Sequence, residues 1–396
     1  MKTELFHQIL DEASFFWFQR NHAAESPFFN LTNLIQLDRR LAGLFRLLPS
    51  YENFEDELNK EFDIDNKDDF FCLLIAAASN KKIDITPKVA DAVSNGADIK
   101  DIVSTIGWIS FEIAEPLLFE LWESDSNMLK AIAIEGWRFH RVKPPFDLSA
   151  PIDSEDINLS CAAIRLAGDL GLQDFVYLIE GKLASPDNQV RFWACYSSVL
   201  LGNPKALSNL IEAINPDNDK RYLAINTVFP AMDYTHAISW INHLSSNKCD
   251  PEFIIKAFEV LGTTKYLPWL ISLIKSKETS AFATHAFCTI TGMTLSLDNY
   301  GDILPLLADH SAYETDEFED IISQIPFESI NEWWKQHQNN FLADQRYFLA
   351  KDMHEKNLNF ILKEGSQTQR ERAALELAIL SPQSPVFEHR APGFRQ

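Results

Sequence analysis

The chain repeats itself at a nearly fixed distance. Residues 172–182 align with 204–214, 234–244 and 264–274, at offsets of 32, 30 and 30. Three columns of the alignment stay apolar: Phe175, Leu207, Ala237 and Leu267; Leu178, Leu210, Trp240 and Leu270; Ile179, Ile211, Ile241 and Ile271. A fourth holds Ile214, Leu244 and Ile274, with Lys182 breaking it in the first copy, where Leu183 stands one place later. Apolar residues at i, i+3, i+4 and i+7 form one face of an α-helix. Just upstream, Gly202, Gly262 and Gly292 recur in phase, with Met232 in the third copy and Gly171 one residue nearer its helix in the first. Glycine there suits the left-handed residue that closes a preceding helix, so each copy reads as helix, tight turn, helix. Ser185-Pro-Asp-Asn and Asn215-Pro-Asp-Asn supply capping and turn residues at two helix entries. A further copy is predicted at Ala114, Leu117, Leu118 and Leu121, and the stretch between, residues 129–151, is irregular and carries Pro144-Pro145.

A two-helix unit of about 30 residues cannot bury its apolar stripe alone, so neighbouring copies must stack. Composition agrees: 46% of residues are hydrophobic, while 13 Gly and 18 Pro in 396 residues are too few for a strand-and-turn architecture. Residues 185–202 combine a Pro-Asp turn, the Val190-Arg191 pair and a run of small and aliphatic side chains, and resemble the HEAT-like signature. The expected fold is all-α, a HEAT-like α-solenoid of two-helix repeats with a period of about 30–32 residues and helical N- and C-terminal flanks. The expected organisation is an N-terminal helical region with an acidic end over 1–70, the repeat array over 71–292, an acidic insertion or linker over 293–330, and a C-terminal helical region and tail over 331–396. Within the first region two helices are predicted, separated near Ser26-Pro27.

Charge is segregated. Lys plus Arg number 35 against 57 Asp plus Glu, a net of −22, and residues 51–70 and 298–320 supply 15 of those 22 excess charges. So acidic a chain repels a phosphate backbone or an anionic lipid surface, and neither nucleic acid nor membrane is expected as a partner. The two acidic segments read as solvated linkers or helix faces, or as surfaces that turn away wrong partners and attract a basic one. No stretch approaches ~18 uninterrupted apolar residues, and residues 1–22 lack the pattern of a cleaved leader, so a cytoplasmic protein is expected. The five cysteines, Cys72, Cys161, Cys195, Cys249 and Cys288, are odd in number and dispersed, and read as reduced core residues.

No metalloprotease, zinc-knuckle, dinucleotide, P-loop or nucleophile-elbow motif occurs. His236 and His243 lie seven apart, and His285 and Cys288 three apart, but two ligands do not hold a metal. Glu115 with Glu120, or Asp316 with Glu317, are carboxylate pairs of the kind chance supplies among 57 acids. No catalytic residue, metal or cofactor is therefore assigned. A HEAT-like DNA glycosylase needs a basic groove interleaved with aromatics. This array is not basic, and Trp108, Trp137, Trp193, Trp240 and Trp269 read as core.

The chain as a whole resembles a proteobacterial family of HEAT-like proteins of unassigned function. The residues that carry the resemblance are Glu12-Ala-Ser-Phe-Phe-Trp-Phe with Leu37-Asp-Arg-Arg-Leu; Ile106-Gly-Trp with Ala114-Glu-Pro-Leu-Leu; Phe139-His-Arg-Val; and Glu332-Trp-Trp with Arg346-Tyr-Phe-Leu, Arg372-Ala-Ala-Leu-Glu-Leu-Ala and the tail Arg390-Ala-Pro-Gly-Phe-Arg-Gln. Members of that family are often encoded beside type VI secretion genes, near spike-tip and adaptor proteins. The resemblance thus implies a protein partner of that kind and a role in loading, escorting or neutralising a secreted effector.

The function expected is a non-catalytic protein-binding scaffold or adaptor. The alternatives are an immunity protein whose acidic insertion covers a basic toxin, and a HEAT-like enzyme or lyase using residues 316–320 or His236 and His243. The partner-binding residues expected from the periodicity are Glu180, Glu212, Asn242 and Ser272, one polar column beside the apolar ones. In the tail, Arg390, Phe394 and Arg395 are candidates either to dock back on the solenoid or to engage a partner.

Overall fold

The computed structural model describes residues 2–51, 54–56, 67–79, 84–214, 218–246, 249–297, 300–308 and 315–396. Over these the protein is helical, with two short two-stranded hairpins, so the all-α class holds. Contacts divide the chain into two units. Unit 1 comprises residues 1–203 and 382–396, and unit 2 comprises 204–381. The division falls inside the span 71–292 that the periodicity reads as one array, and the last residues of the predicted C-terminal region belong with the N-terminal half.

Unit 1 begins with α1 (Lys2–Glu25) and α2 (Leu31–Leu47), the two helices expected on either side of Ser26-Pro27. Asn30 caps α2, its side chain accepting from Asn33 N while Asn33 returns a bond to Asn30 N. α3 (Lys67–Ser79), α4 (Thr86–Ser94), α5 (Ile99–Trp108) and α6 (Phe111–Glu123) follow. The buried face of α6 is Ala114, Leu117, Leu118 and Leu121, the expected extra copy. Next come α7 (Asn127–His140), the short α8 (Ser149–Asp153), α9 (Ile157–Asp169), α10 (Val176–Gly181) and α11 (Asn188–Leu200).

Helices α7, α9 and α11 start alike. Ser126, Asp156 and Asp187 each precede the first turn and accept a backbone N–H with the side chain, satisfying donors that have no partner inside the helix. They are buried over most of their length and pack side by side, α7 on α9 and α9 on α11. α9 ends as its sequence predicts: Gly171 is left-handed at φ 65°, with Gly171 N donating to Gly168 O at 3.0 Å and Leu172 N to Ala167 O at 2.9 Å.

Unit 2 repeats the arrangement with α12 (Leu207–Ile211), α13 (Arg221–Ala231), α14 (Tyr234–Ser246), α15 (Pro251–Leu261), α16 (Leu267–Leu273) and α17 (Ser280–Thr291). α13 packs on α15 and α15 on α17, while α12, α14 and α16 each lie against the helix that follows. Gly262 and Gly292 close α15 and α17 in the left-handed region. Where Met232 replaces glycine, α13 ends instead in extended backbone at φ −83° and ψ 151°, which a residue with a side chain adopts without strain. In the four aligned copies the column from Ile179 to Ile271 is buried throughout. Of the two expected helix entries, Asp187 of Ser185-Pro-Asp-Asn caps α11, whereas Asn215-Pro-Asp-Asn lies largely outside the described residues.

The acidic insertion is folded where described. Hairpin β1 (Ser296–Leu297) and β2 (Gly301–Asp302), α18 (Leu304–Ala308) and α19 (Asp316–Gln324) bury Ile303, Leu307, Phe318 and Ile321 in the core of unit 2. The linker reading fails for these residues because apolar side chains at helical spacing alternate with the acids. The expected boundary at 330 also cuts α20 (Phe327–His337), whose buried Ile330 and Trp334 lie one turn apart. Residues 52–53, 57–66, 298–299 and 309–314 of the two acidic segments lie outside the described residues.

Unit 2 ends with hairpin β3 (Tyr347–Phe348) and β4 (Lys351–Asp352), α21 (Glu355–Glu364) and α22 (Gln367–Leu380). The hairpin meets the C-terminal ends of α15 and α17: Tyr347 N donates to Gly262 O at 2.8 Å, and Leu349 N to Thr289 O at 2.7 Å. Arg346 donates to Leu261 O and Val260 O, and Arg372 of α22 to Glu259 O and Val260 O. Carbonyls that a helix terminus leaves open are thereby satisfied by arginine, whose charge also suits the negative end of the helix dipole. The five cysteines are free, with Cys249 partly exposed and the others buried.

Candidate functional site

In four of the long helices the ninth residue after the cap is polar. It is Glu135 in α7, Arg165 in α9, Tyr196 in α11 and Glu259 in α15, counted from Ser126, Asp156, Asp187 and Asp250. Each is held by partners on its own and adjacent elements, whereas the same position holds Phe229 in α13 and Cys288 in α17.

In unit 2 this position opens onto a cleft lined by Tyr222, Glu252, Ile255, Lys256, Glu259, Phe282, His285 and Leu307. Tyr222, Glu252 and Phe282 are themselves 30 residues apart, so α13, α15 and α17 each contribute the same position of the repeat. Asp250 caps α15 by accepting from Glu252 N, and Pro251 occupies the first turn, where its missing N–H costs nothing. Glu259 is 3% exposed; its Oε1 accepts from Lys256 Nζ at 2.6 Å and its Oε2 lies 2.9 Å from His285 Nδ1. Burial opposes its charge, but Lys256, His285 and Arg372 outweigh burial and hold the carboxyl well below the usual range. Glu252 accepts a bond from the Tyr222 hydroxyl. Burial pushes its carboxyl up, against the pull of Arg221 and Lys256. The two carboxyls of α15 are thus driven in opposite directions. An ionised Glu259 favours Nδ1–H on His285, which leaves Nε2 as an acceptor. The cleft can exchange hydrogen bonds with a polar group entering it.

In unit 1 the same position is closed. Arg138 donates to Glu135 Oε2 at 2.6 Å and to Asp169 Oδ2 at 2.7 Å, and Arg165 donates to Glu135 Oε1 at 3.1 Å. Arg165 also lies over the Trp193 ring at 4.1 Å. Burial opposes ionisation of Asp169, but Arg141, Arg138 and Arg165 hold it below the carboxylate range. The C-terminal segment completes this network. Arg141 donates to Val386 O at 2.6 Å and pairs with Glu388 at 3.0 Å, while Val386 N donates to Asp169 O at 2.8 Å.

The tail candidates lie here. Arg390 pairs with Glu25 at 2.8 Å, and its carbonyl accepts from Arg20, which is itself bonded to Asp38 at 3.1 Å. Asp38 also accepts from Trp108 Nε1 at 2.9 Å and Gly393 N at 2.7 Å. Arg395 donates to Gly107 O at 2.6 Å and Ile109 O at 2.9 Å, and Phe394 meets Trp108 edge to face at 6.0 Å. Of the two expectations for the tail, the described contacts are those of docking back. His140, bonded through Nε2 to Ile106 O at 2.9 Å, is lowered to about 4 by burial and by the charge of Arg395 beside it.

The polar column is placed as follows. Glu180 is half-buried on α10 in unit 1, whereas Glu212, Asn242 and Ser272 are exposed in unit 2. Ser272 Oγ donates to Trp269 O, so its hydroxyl is engaged within its own turn. Trp108 and Trp137 are core, whereas Trp193, Trp240 and Trp269 are partly exposed. His236 and His243 are exposed, and His236 lies 2.6 Å from Asp233. Cys288 is buried with its thiol pushed up to about 12 by burial, which removes it as a ligand beside His285. Glu115 and Glu120 are exposed. Among the described residues no three His, Cys, Asp or Glu side chains group to hold a metal, and no helix is long and apolar enough to cross a membrane. Sequence reading missed Tyr222, Glu252, Lys256 and Glu259; the available signal was the recurrence at 30 residues within the buried helices, not only in the shorter ones.

No protein-family model matches the chain, and neither a curated protein nor a solved structure is significantly similar to it.

Proposed function

We propose that this chain is a non-catalytic protein-binding scaffold or adaptor, a HEAT-like α-solenoid that escorts or loads a secreted effector. The observation that carries the reading is the register of the long helices: α13, α15 and α17 pack in sequence and offer Tyr222, Glu252 and Phe282 at intervals of one repeat, with Lys256 and His285 beside them in the same cleft. Contacts so spaced suit an extended stretch of a partner protein, as in other repeat binders. The exposed residues Glu212, Asn242 and Ser272, at the end of α12 and on α14 and α16, form a second contact set, and Glu180 is its counterpart in unit 1. The family resemblance supports a type VI effector, spike-tip or adaptor protein as the partner, and a cytoplasmic place of action.

The test is purification of the tagged protein from its host at low and at ~0.5 M salt, followed by mass spectrometry of what stays bound. Charge attraction between exposed groups is screened at the higher salt, so a packed interface survives it. Retention of one secretion component at both salts, lost in a Lys256→Glu, His285→Ala double variant, is the expected result. Absence of any partner at either salt, together with turnover of a small molecule by the purified chain, would replace the scaffold with an enzyme.

A further inference from the structure

Helix α1 buries Phe6, Leu10, Ala13, Trp17 and Ala24, packing on α2 and α3. Its opposite face is a straight stripe, Gln8, Asp11, Phe15, Phe18, His22 and Glu25, spaced alternately by three and four residues, and all six are exposed. Phe15 and Phe18 are 57% and 50% exposed, an unusual placement for two large aromatic rings one turn apart. Phe18 lies 4.2 Å from the His22 ring. Among the described side chains of α1 no Lys or Arg is exposed, since Arg20 is buried against Asp38.

The stripe is complementary to itself. When a second copy is laid against it antiparallel, on a two-fold axis midway between Phe16 and Trp17, residue i faces residue 33−i. Phe15 then faces Phe18 of the other copy, Asp11 faces its His22, and Gln8 faces its Glu25. A two-fold interface requires this kind of self-complementarity, with each polar pair formed twice. We propose that α1 is a homodimerisation surface, two copies pairing through antiparallel α1 stripes with Phe15 against Phe18 at the centre and Asp11 against His22 on either side. One helix pair falls short of the ~1,200 Å² of a standard stable interface, so the dimer is a weak one. Each copy carries a net charge of −22, and this general repulsion opposes pairing at low ionic strength. Raising the salt therefore strengthens the dimer, whereas it would weaken the grip of a basic helix on the same face.

The experiment is sedimentation velocity on the full chain from ~1 to ~100 μM at ~0.05 and ~0.5 M salt. The expected result is a monomer–dimer equilibrium that tightens several-fold at the higher salt. Phe15→Ser with Phe18→Ser abolishes it while the helical circular dichroism of the chain is retained, because both rings are already half in water. Asp11→Lys and His22→Glu each weaken the dimer, and the two together restore it, because an ammonium and a carboxylate then face each other across the axis. A chain that stays monomeric throughout, a dimer indifferent to the two Phe substitutions, or single charge variants that the double variant does not rescue would each overturn the proposal. So would association that requires an added Lys/Leu amphipathic peptide and fades with salt, which would give the face to a basic partner.

Discussion

The two units solve one problem with different parts. In each, long helices end in carbonyls that need donors, and in each a segment from the C-terminal part of the chain supplies arginines and backbone N–H groups. Unit 2 uses Arg346, Arg372 and the β3–β4 hairpin on α15 and α17. Unit 1 uses the tail: Arg395 on the end of α5, and Val386 N on the last residue of α9. The units differ at the ninth helix position. In unit 1, Glu135, Arg165 and Tyr196 belong to a network that Asp169, Arg138, Arg141 and Glu388 close. In unit 2, Glu259 is as deeply buried, but the groups that hold it, Lys256 and His285, line a cleft with Glu252. The same repeat position is a structural clamp in one unit and a presented surface in the other.

The largest expected effect breaks the clamp. Asp169→Ala leaves Arg138 and Arg141 without a carboxylate they both contact, and removing one partner of a buried ion pair costs about 3–5 kcal/mol. Urea unfolding should show that loss. An unchanged midpoint would mean the network contributes nothing net.

Acid should weaken unit 1 next. His140 has a folded value of about 4 against an ordinary 6.5, so the unfolded chain binds the extra proton between those values. Stability is therefore fully present above pH ~6.5 and declines as pH falls toward 4, by about 3 kcal/mol. Asp169 and Glu388, both held below the carboxylate range, add a further loss at pH values below their ordinary ones. Urea midpoints from pH 7.5 to 4.5 check the slope, and His140→Gln should flatten it.

A smaller effect tests the tail alone. A Cβ on Gly393 would lie 2.9 Å from Ile35 N, too close without a backbone shift, so Gly393→Ala should loosen the last residues at a cost of about 1 kcal/mol. Limited proteolysis reads this as earlier trimming of the C-terminus with the helices intact. The smallest effect on stability belongs to the cleft: Glu252→Gln, at a half-buried site, should change unfolding by less than about 1 kcal/mol while weakening retention of the partner.

Much of this organisation was legible in the sequence. The period of 30, the apolar columns and the glycines at 171, 202, 262 and 292 located the helix pairs, because helical packing imposes its spacing on every copy. The two helices around Ser26-Pro27 were equally visible. The tail's docking site was not, since Gly393 and Asp38 lie far apart in sequence and their bond follows no period. The ninth-position residues were hidden for another reason. Glu135, Arg165, Tyr196 and Glu259 share a place but not a chemistry, so an alignment by residue type passes over them. The acidic insertion misled because charge dominated its composition, while its packing depends on the few apolar residues at helical spacing, Leu307, Phe318 and Ile321.

Hydrogen–deuterium exchange on the chain with and without its retained partner tests the central claim most directly. The account predicts new protection over the segments carrying Tyr222, Lys256 and His285, with residues 382–396 equally protected in both states. Protection confined to the tail and the Asp169 network, with the cleft helices unchanged, would contradict it and make unit 1 the partner-binding unit.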